Sequence, residues 1–222
     1  MKIDLKMLLD RAASRHKHLC PRQVLGVRMG MHAAELLNLE LPQTGKRLYT
    51  FVETDGCFTD GVAVATGCWV GRRTMRVIDF GKVAATFVDT KTNLAMRIHP
   101  HPASRAGWHH YAPDARDRWH GYLEAYQVMP AEQLLVARPV ELSLSIQAIL
   151  SNPSARVVCT HCGEEIINQR EVILNDSILC RNCAGENYYR VSPSHPSAFR
   201  RAKSTQPKES FVERSRSKKK EA

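Results

Sequence analysis

Two groups of cysteines and histidines carry the chemistry this sequence can do. The first is His16-Lys17-His18-Leu19-Cys20-Pro21, which places two imidazoles and a thiol within five residues. Pro21 suits the first position of a helix, because the donor it lacks has no intrahelical partner there. Cys20 therefore falls at a helix N-terminus, where the helix dipole and the nearby Lys17 and Arg22 favour a thiolate. Such a thiolate can bind a metal or act as a nucleophile, with His18 or His16 as its base. A buried, inert cysteine beside two surface histidines is the plain alternative. The second group is Cys159-x2-Cys162-x17-Cys180-x2-Cys183, the spacing of a structural zinc site in which two C-x2-C pairs wrap one ion and leave no position open. His161 could replace a cysteine, but with four available it is expected to face solvent.

The elements that must position these groups follow from the apolar pattern. Residues 3–15 and 21–37 read as helices, and on the second Gly26, Gly30 and Ala34 form a small-residue stripe. A glycine costs about 1 kcal/mol against alanine inside a helix, so a strand, helix or partner subunit is expected to pack closely on that stripe. Residues 47–54 read as a strand, running into a polar loop over Asp55–Gly61 that carries Cys57 and Asp60. A short helix over 62–66 ends at Gly67, and Cys68 opens the next loop. Residues 74–80 and 83–90 read as a hairpin joined at Gly81-Lys82, with residues 94–98 as a third strand. His99, His101, His109, His110 and His120 gather in the next segment. A helix capped by Asp114 runs to Val128, Pro130 opens another, and residues 134–145 read as an edge strand because of Pro139.

This order mixes helices and strands without regular β-α-β alternation, which predicts an α+β core over residues 1–150. A linker at Leu150–Ser154 separates it from a zinc finger at 155–192. In that finger a hairpin turning at Asn175-Asp176 and a helix from Cys183 toward Tyr189 would complete a treble clef. The finger is too short for a sufficient apolar core, so zinc, one per chain, is expected to supply most of its stability. The net charge is +10; residues 193–222 hold nine basic and three acidic side chains, so +6 of it lies there. That segment reads as a basic, disordered tail able to make non-specific contact with nucleic acid phosphates. No apolar run approaches the roughly 20 residues of a membrane span, and no signal-peptide pattern opens the chain. A cytoplasmic protein is expected, and seven cysteines in a reducing compartment point to metal ligation or thiol chemistry rather than disulfides.

Several separated motifs together resemble a known family. His16-x-His18-Leu19-Cys20-Pro21 with Gly26-Val27-Arg28-Met29-Gly30, then Asp55-Gly56-Cys57-x-x-Asp60, then Thr66-Gly67-Cys68-x-x-Gly71, is similar in order and spacing to the FmdE family, named for a component of formylmethanofuran dehydrogenase. The resemblance implies an α+β core forming an intertwined homodimer, followed in some members by a treble-clef C4 finger. Carried over by position, it implies a core site of His16, His18, Cys20, Cys57, Asp60 and Cys68. Lys17 and Arg22 stand where the family commonly has glycine, which adds bulk and positive charge beside the thiol and suits an anionic ligand. The chain has no iron–sulfur cluster spacing, dinucleotide fingerprint or phosphate loop. Three functions are compatible with these features. One is a metal-binding accessory or metal-handling protein linked to molybdenum or tungsten enzymes, holding a second divalent metal in the core. Another is a metal- or redox-responsive regulator that binds nucleic acid or a protein through the finger and tail. The third is a Cys20-dependent enzyme with His18 as base.

Overall fold

The computed structural model describes residues 4–151 and 155–189. The chain divides into two units, Met1–Pro153 and Ser154–Ala222. The basic tail anticipated over 193–222 lies outside the described residues.

The first unit mixes helices with one five-stranded sheet. Its main elements are α1 (Leu5–Ala13), α2 (Pro21–Leu37), β1 (Leu48–Val52), α3 (Cys57–Thr66), β2 (Met75–Val77), β3 (Ala85–Asp89) and β4 (Ala95–Pro100), then α4 (Arg118–Val128), α5 (Ala131–Leu134), β5 (Leu135–Pro139) and α6 (Ile146–Ser151). The strand order is β2-β1-β3-β4-β5, and only the β1–β2 pair is parallel. β1 is apolar or hydroxylated throughout and buried along its whole length, as suits a strand covered on both faces. Leu48 and Val52 face the main core with Phe87, Ile98 and the helices, whereas Tyr49 and Phe51 join Val88 and Ile146 of α6 in a smaller cluster.

Three elements differ from the sequence reading. The 74–90 hairpin is not formed: β1 lies between β2 and β3 and pairs with both. The amides of Phe80 and Lys82 both donate to the Glu53 carbonyl at 3.0 and 3.1 Å, so the connecting loop is tied to the end of β1. The helix placed at 62–66 begins five residues earlier, at Cys57. Gly61, which suggested a loop, is there because an added Cβ would lie 2.3 Å from the Gln23 carbonyl oxygen of α2. The helix reaching Val128 is capped by Asp117, whose side chain accepts from the His120 amide at 3.0 Å, and not by Asp114.

The glycine stripe explains how α2 and α3 meet. A Cβ on Gly26 would lie 2.2 Å from the Phe58 oxygen and 2.7 Å from the Val62 nitrogen, and one on Gly30 would lie 2.6 Å from Ala65 Cβ. Residue numbers rise together on both helices, so the two run parallel and their N-termini share one end. The surface packed on this stripe is therefore α3 of the same chain, not a partner subunit.

The second unit is built on two hairpins, β6 (Arg156–Val158) with β7 (Glu165–Ile167), and β8 (Val172–Leu174) with β9 (Ser177–Leu179). Asn175 and Asp176 both adopt positive φ, 46° and 60°, the type I′ geometry that matches strand twist in two-residue loops. Turns, and no helix, follow Cys180 as far as Tyr189, so the helix of the anticipated treble clef is not formed among the described residues.

Candidate functional site

Cys159 and Cys162 flank the turn between β6 and β7, and Cys180 and Cys183 follow β9. Their four sulfurs lie within 4.8 Å of one another. Zinc–sulfur bonds of about 2.3 Å in a tetrahedron put sulfurs about 3.8 Å apart, and Cys162 Sγ and Cys180 Sγ are 3.9 Å apart. The geometry fits a tetrahedral thiophilic ion. Backbone amides already serve the sulfurs: Cys180 N donates to Cys159 Sγ at 3.3 Å, and Cys183 N to Cys180 Sγ at 3.4 Å. The Cys162 and Cys180 amides bring the Cys159 thiol down to about 6. Cys183, hydrogen-bonded to Cys180, desolvated and crowded by the other sulfurs, is pushed up to about 12. Four thiols so close cannot all ionise without a cation among them. His161 is exposed, yet its Nδ1 lies 3.4 Å from Cys183 Sγ, so it touches the cluster instead of standing clear of it.

In the first unit, the parallel packing of α2 on α3 brings together Cys20, the N-cap of α2, and Cys57, the first residue of α3. Both line one cavity of about 580 Å³. Buried Gln23 fixes this corner: its Oε1 accepts from the Cys20 amide at 2.9 Å, and its Nε2 donates to the Ala12 carbonyl at 2.8 Å. A Gln three residues after an N-cap is one half of a capping box, which is the signal by which the sequence could have named it. Arg28 is a second positioning residue. Its guanidinium donates to the carbonyls of Tyr126, Gln127 and Met129 at 2.7–2.9 Å, and so ties α2 to the C-terminal end of α4. The other end of α4 supplies Arg118, Trp119 and Tyr122 to the cavity wall.

The six core residues do not converge on one point. Among the described residues the four-cysteine group alone brings three or more metal-ligand side chains within mutual reach. Asp60 lies one turn along α3 from Cys57, and His16 Nε2 bonds its Oδ2 at 2.7 Å. The His18 ring sits against Trp119, 6.1 Å between centroids. Cys68 stands past the far end of α3, about 15 Å along the helix at 1.5 Å per residue, buried and donating to the Leu48 carbonyl at 3.4 Å. Neither His16 nor His18 hydrogen-bonds Cys20. Burial pushes the Cys20 thiol up and the neighbouring Cys57 adds to this, against the amides of Gln23 and Arg22. The thiolate expected from the helix N-terminus is thus outweighed by desolvation. Of the two departures from the family pattern, Arg22 lines the cavity and Lys17 does not. None of the five histidines of 99–120 reaches it; His109, for example, stacks on Trp108 at 3.6 Å, and His120 bonds Asp117.

A family model described as FmdE, molybdenum formylmethanofuran dehydrogenase operon, matches residues 15–136. The chain belongs to the FmdE family. Its match takes in the cavity and both thiols, and it ends before the four-cysteine unit. The crystal structure of a tungsten formylmethanofuran dehydrogenase FmdE-like protein from Syntrophus aciditrophicus has the same fold, with a TM-score of 0.55 at 22% identity over 85% of this chain and 96% of that one. A probable S-adenosyl-L-methionine-binding protein of Archaeoglobus fulgidus is 41% identical over 98 residues, 43% of this FmdE chain and 27% of that protein. The chain therefore spans about a quarter of that relative's length. No helix among the described residues is long and apolar enough to cross a membrane.

Proposed function

We propose that this FmdE-family protein is a metal-handling accessory of molybdenum or tungsten enzymes of the formylmethanofuran dehydrogenase type, working as an intertwined homodimer. In this reading Cys159, Cys162, Cys180 and Cys183 hold a structural zinc, and Cys20 and Cys57 take a second divalent ion at the mouth of the core cavity. The observation that carries the core site is the meeting of Cys20 and Cys57 at the shared end of two parallel helices, on the wall of one cavity. Two thiols are an incomplete ligand set, and such sets leave positions open for an exogenous ligand, whereas four thiolates close the sphere. The His16–Asp60 pair one turn away adds support. A carboxylate on one ring nitrogen is the usual way a metal-binding histidine is oriented, and here Asp60 takes Nε2 and leaves Nδ1 available.

Elemental analysis of the intact protein after zinc or cobalt loading, beside a Cys20→Ser/Cys57→Ser variant, tests the proposal. Two equivalents per chain in the parent and one in the variant are expected. One equivalent in both would remove the core site and leave the four-cysteine site standing. Sedimentation of the same samples reports the dimer.

A further inference from the structure

The core cavity has a second chemistry that the thiols do not use. Three guanidinium groups line it, those of Arg22, Arg105 and Arg118, and no aspartate or glutamate does. Carboxylates among the described residues pair with other arginines, such as Arg47, Arg97, Arg116, Arg156 and Arg181, and none is paired with Arg22, Arg105 or Arg118. Three like charges around one concavity repel one another and raise the local potential, an arrangement that favours an anion entering between them. Arg22 and Arg118 each stand in the first turn of a helix, where the backbone adds to the same potential. The wall beside them is aromatic. Trp119 is 40% exposed, Tyr122 stacks on Tyr126 at 5.6 Å with only 8° between ring planes, and Arg105 lies over the Tyr122 ring at 5.5 Å. A flat surface bordered by guanidinium forks suits a ligand that is planar at one end and anionic at the other.

We propose that the cavity binds an organic anion bearing a flat ring, with Arg22, Arg105 and Arg118 holding its carboxylate or phosphate and Trp119 and Tyr122 flanking the ring. This inference shares the cavity with the metal reading, but it rests on the arginines and aromatics and not on the thiols.

Isothermal titration calorimetry of the full chain with four probes tests it: adenosine 5′-monophosphate, 2-naphthoate, adenosine and inorganic phosphate. At least one ring-bearing anion is expected to bind roughly tenfold or more tightly than adenosine and inorganic phosphate. The relative strength of the two anions identifies phosphate or carboxylate as the favoured group. Arg105→Gln and Arg118→Gln alter exposed side chains and leave the fold intact; each is expected to weaken binding by roughly tenfold or more, the loss of one charge-assisted pairing. With no metal in the core site of either protein, the Cys20→Ser/Cys57→Ser variant is expected to bind as the parent does. Binding no better than that of adenosine or phosphate alone would overturn the proposal. So would binding that survives both arginine changes, or binding lost with the thiols, which would assign capture of the anion to them instead.

Discussion

The Gly26→Ala variant tests the geometry on which the core site depends. Elsewhere in a helix interior the change would stabilise the protein by about 1 kcal/mol through helix propensity. Here the new Cβ would lie 2.2 Å from the Phe58 carbonyl oxygen and 2.7 Å from the Val62 amide nitrogen, where ordinary contact begins at 3.4 Å. Both neighbours are backbone atoms of α3, so no side chain can swing aside and the helices must separate by about 1 Å. Overpacking of this kind costs about 1–3 kcal/mol, and a backbone-to-backbone clash belongs at the upper end. Set against the propensity gain, the expected net loss is about 2 kcal/mol, or a fall of about 4–8 °C in Tm for a chain of this size. Thermal unfolding followed by far-ultraviolet circular dichroism at fixed metal concentration measures it. Gly71→Ala is the control, since an added Cβ there meets nothing within 4 Å, and it should stay within about 0.5 kcal/mol of the parent. Cys20 and Cys57 sit at the ends of these same two helices, so Gly26→Ala should also weaken any metal shared between them. A Tm equal to or above that of the parent would refute the close approach of α2 and α3, and with it the reason the two thiols meet.

Three further outcomes follow from other contacts. Arg28→Leu leaves three carbonyls at the C-terminal end of α4 without their charged donor; urea unfolding should show a loss of about 2–4 kcal/mol, and an unchanged midpoint would mean that water replaces the guanidinium. Burial pushes the Asp89 carboxyl up, but the Arg47 guanidinium, the Lys91 amide and Thr92 together hold it below its usual value. A depressed carboxylate contributes stability that is present above its unfolded value near pH ~3.9 and is lost as pH falls through the folded value. Asp89→Asn should therefore flatten the acid limb of stability below about pH 4, and an acid limb identical to the parent's would count against the ion pair. With zinc held by the four cysteines as proposed, chelation should abolish amide-exchange protection in β6–β9 while β1–β5 keep theirs, because that unit has too little apolar core to stand without an ion. Retained protection in β6–β9 after verified metal removal would refute that dependence.

Local chemistry was the legible part of this fold. Pro21 and the apolar spacing of α2, the turn pair Asn175-Asp176, Pro139 on an edge strand and the C-x2-C pairs all act within a few residues, and each stands where its own stereochemistry places it. The errors came where distant backbone decides. Gly61 looks like a loop residue until α2 is laid against it, and Gly81-Lys82 looks like a hairpin until β1 takes the place between the two strands. Asp114 and Asp117 are equally good caps by type, and only the packed helix selects between them. In the candidate site, the family motif grouped Cys68 with Cys20 and Cys57, yet Cys68 belongs to the buried far end of α3. Sequence order cannot separate the two ends of one helix until the helix's start is known. Arg105, Arg118 and Trp119 had no motif at all; Arg118 and Trp119 reach the cavity through the docking of α4, which Arg28 helps secure from α2, and Arg105 comes from the short 3-10 helix Pro102–Arg105 after β4.

The two sulfur systems differ in a way that burial and backbone explain. Around Cys159 the amides of Cys162 and Cys180 already stabilise negative charge, so the four-cysteine unit is prepared to ionise, and a cation among the sulfurs would let its remaining thiols follow. At Cys20 desolvation dominates and the thiol is held protonated. A group in that state binds a metal only if ion binding returns more than the removal of its proton costs. The nearby guanidiniums matter here. Arg22, Arg105 and Arg118 offer positive potential on the same cavity wall, which eases formation of a thiolate but opposes entry of a bare dication. An anion bound between the arginines would cancel that opposition, so metal and anion should favour one another's binding. By linkage the effect must be reciprocal: zinc affinity of the core site should rise in the presence of whichever ring-bearing anion binds, and anion affinity should rise by the same factor in the presence of zinc. Calorimetric titration of each ligand with and without the other measures both factors. Unequal factors would violate linkage and expose a fault in the measurement, whereas two equal factors of one would show that thiols and arginines act as separate sites.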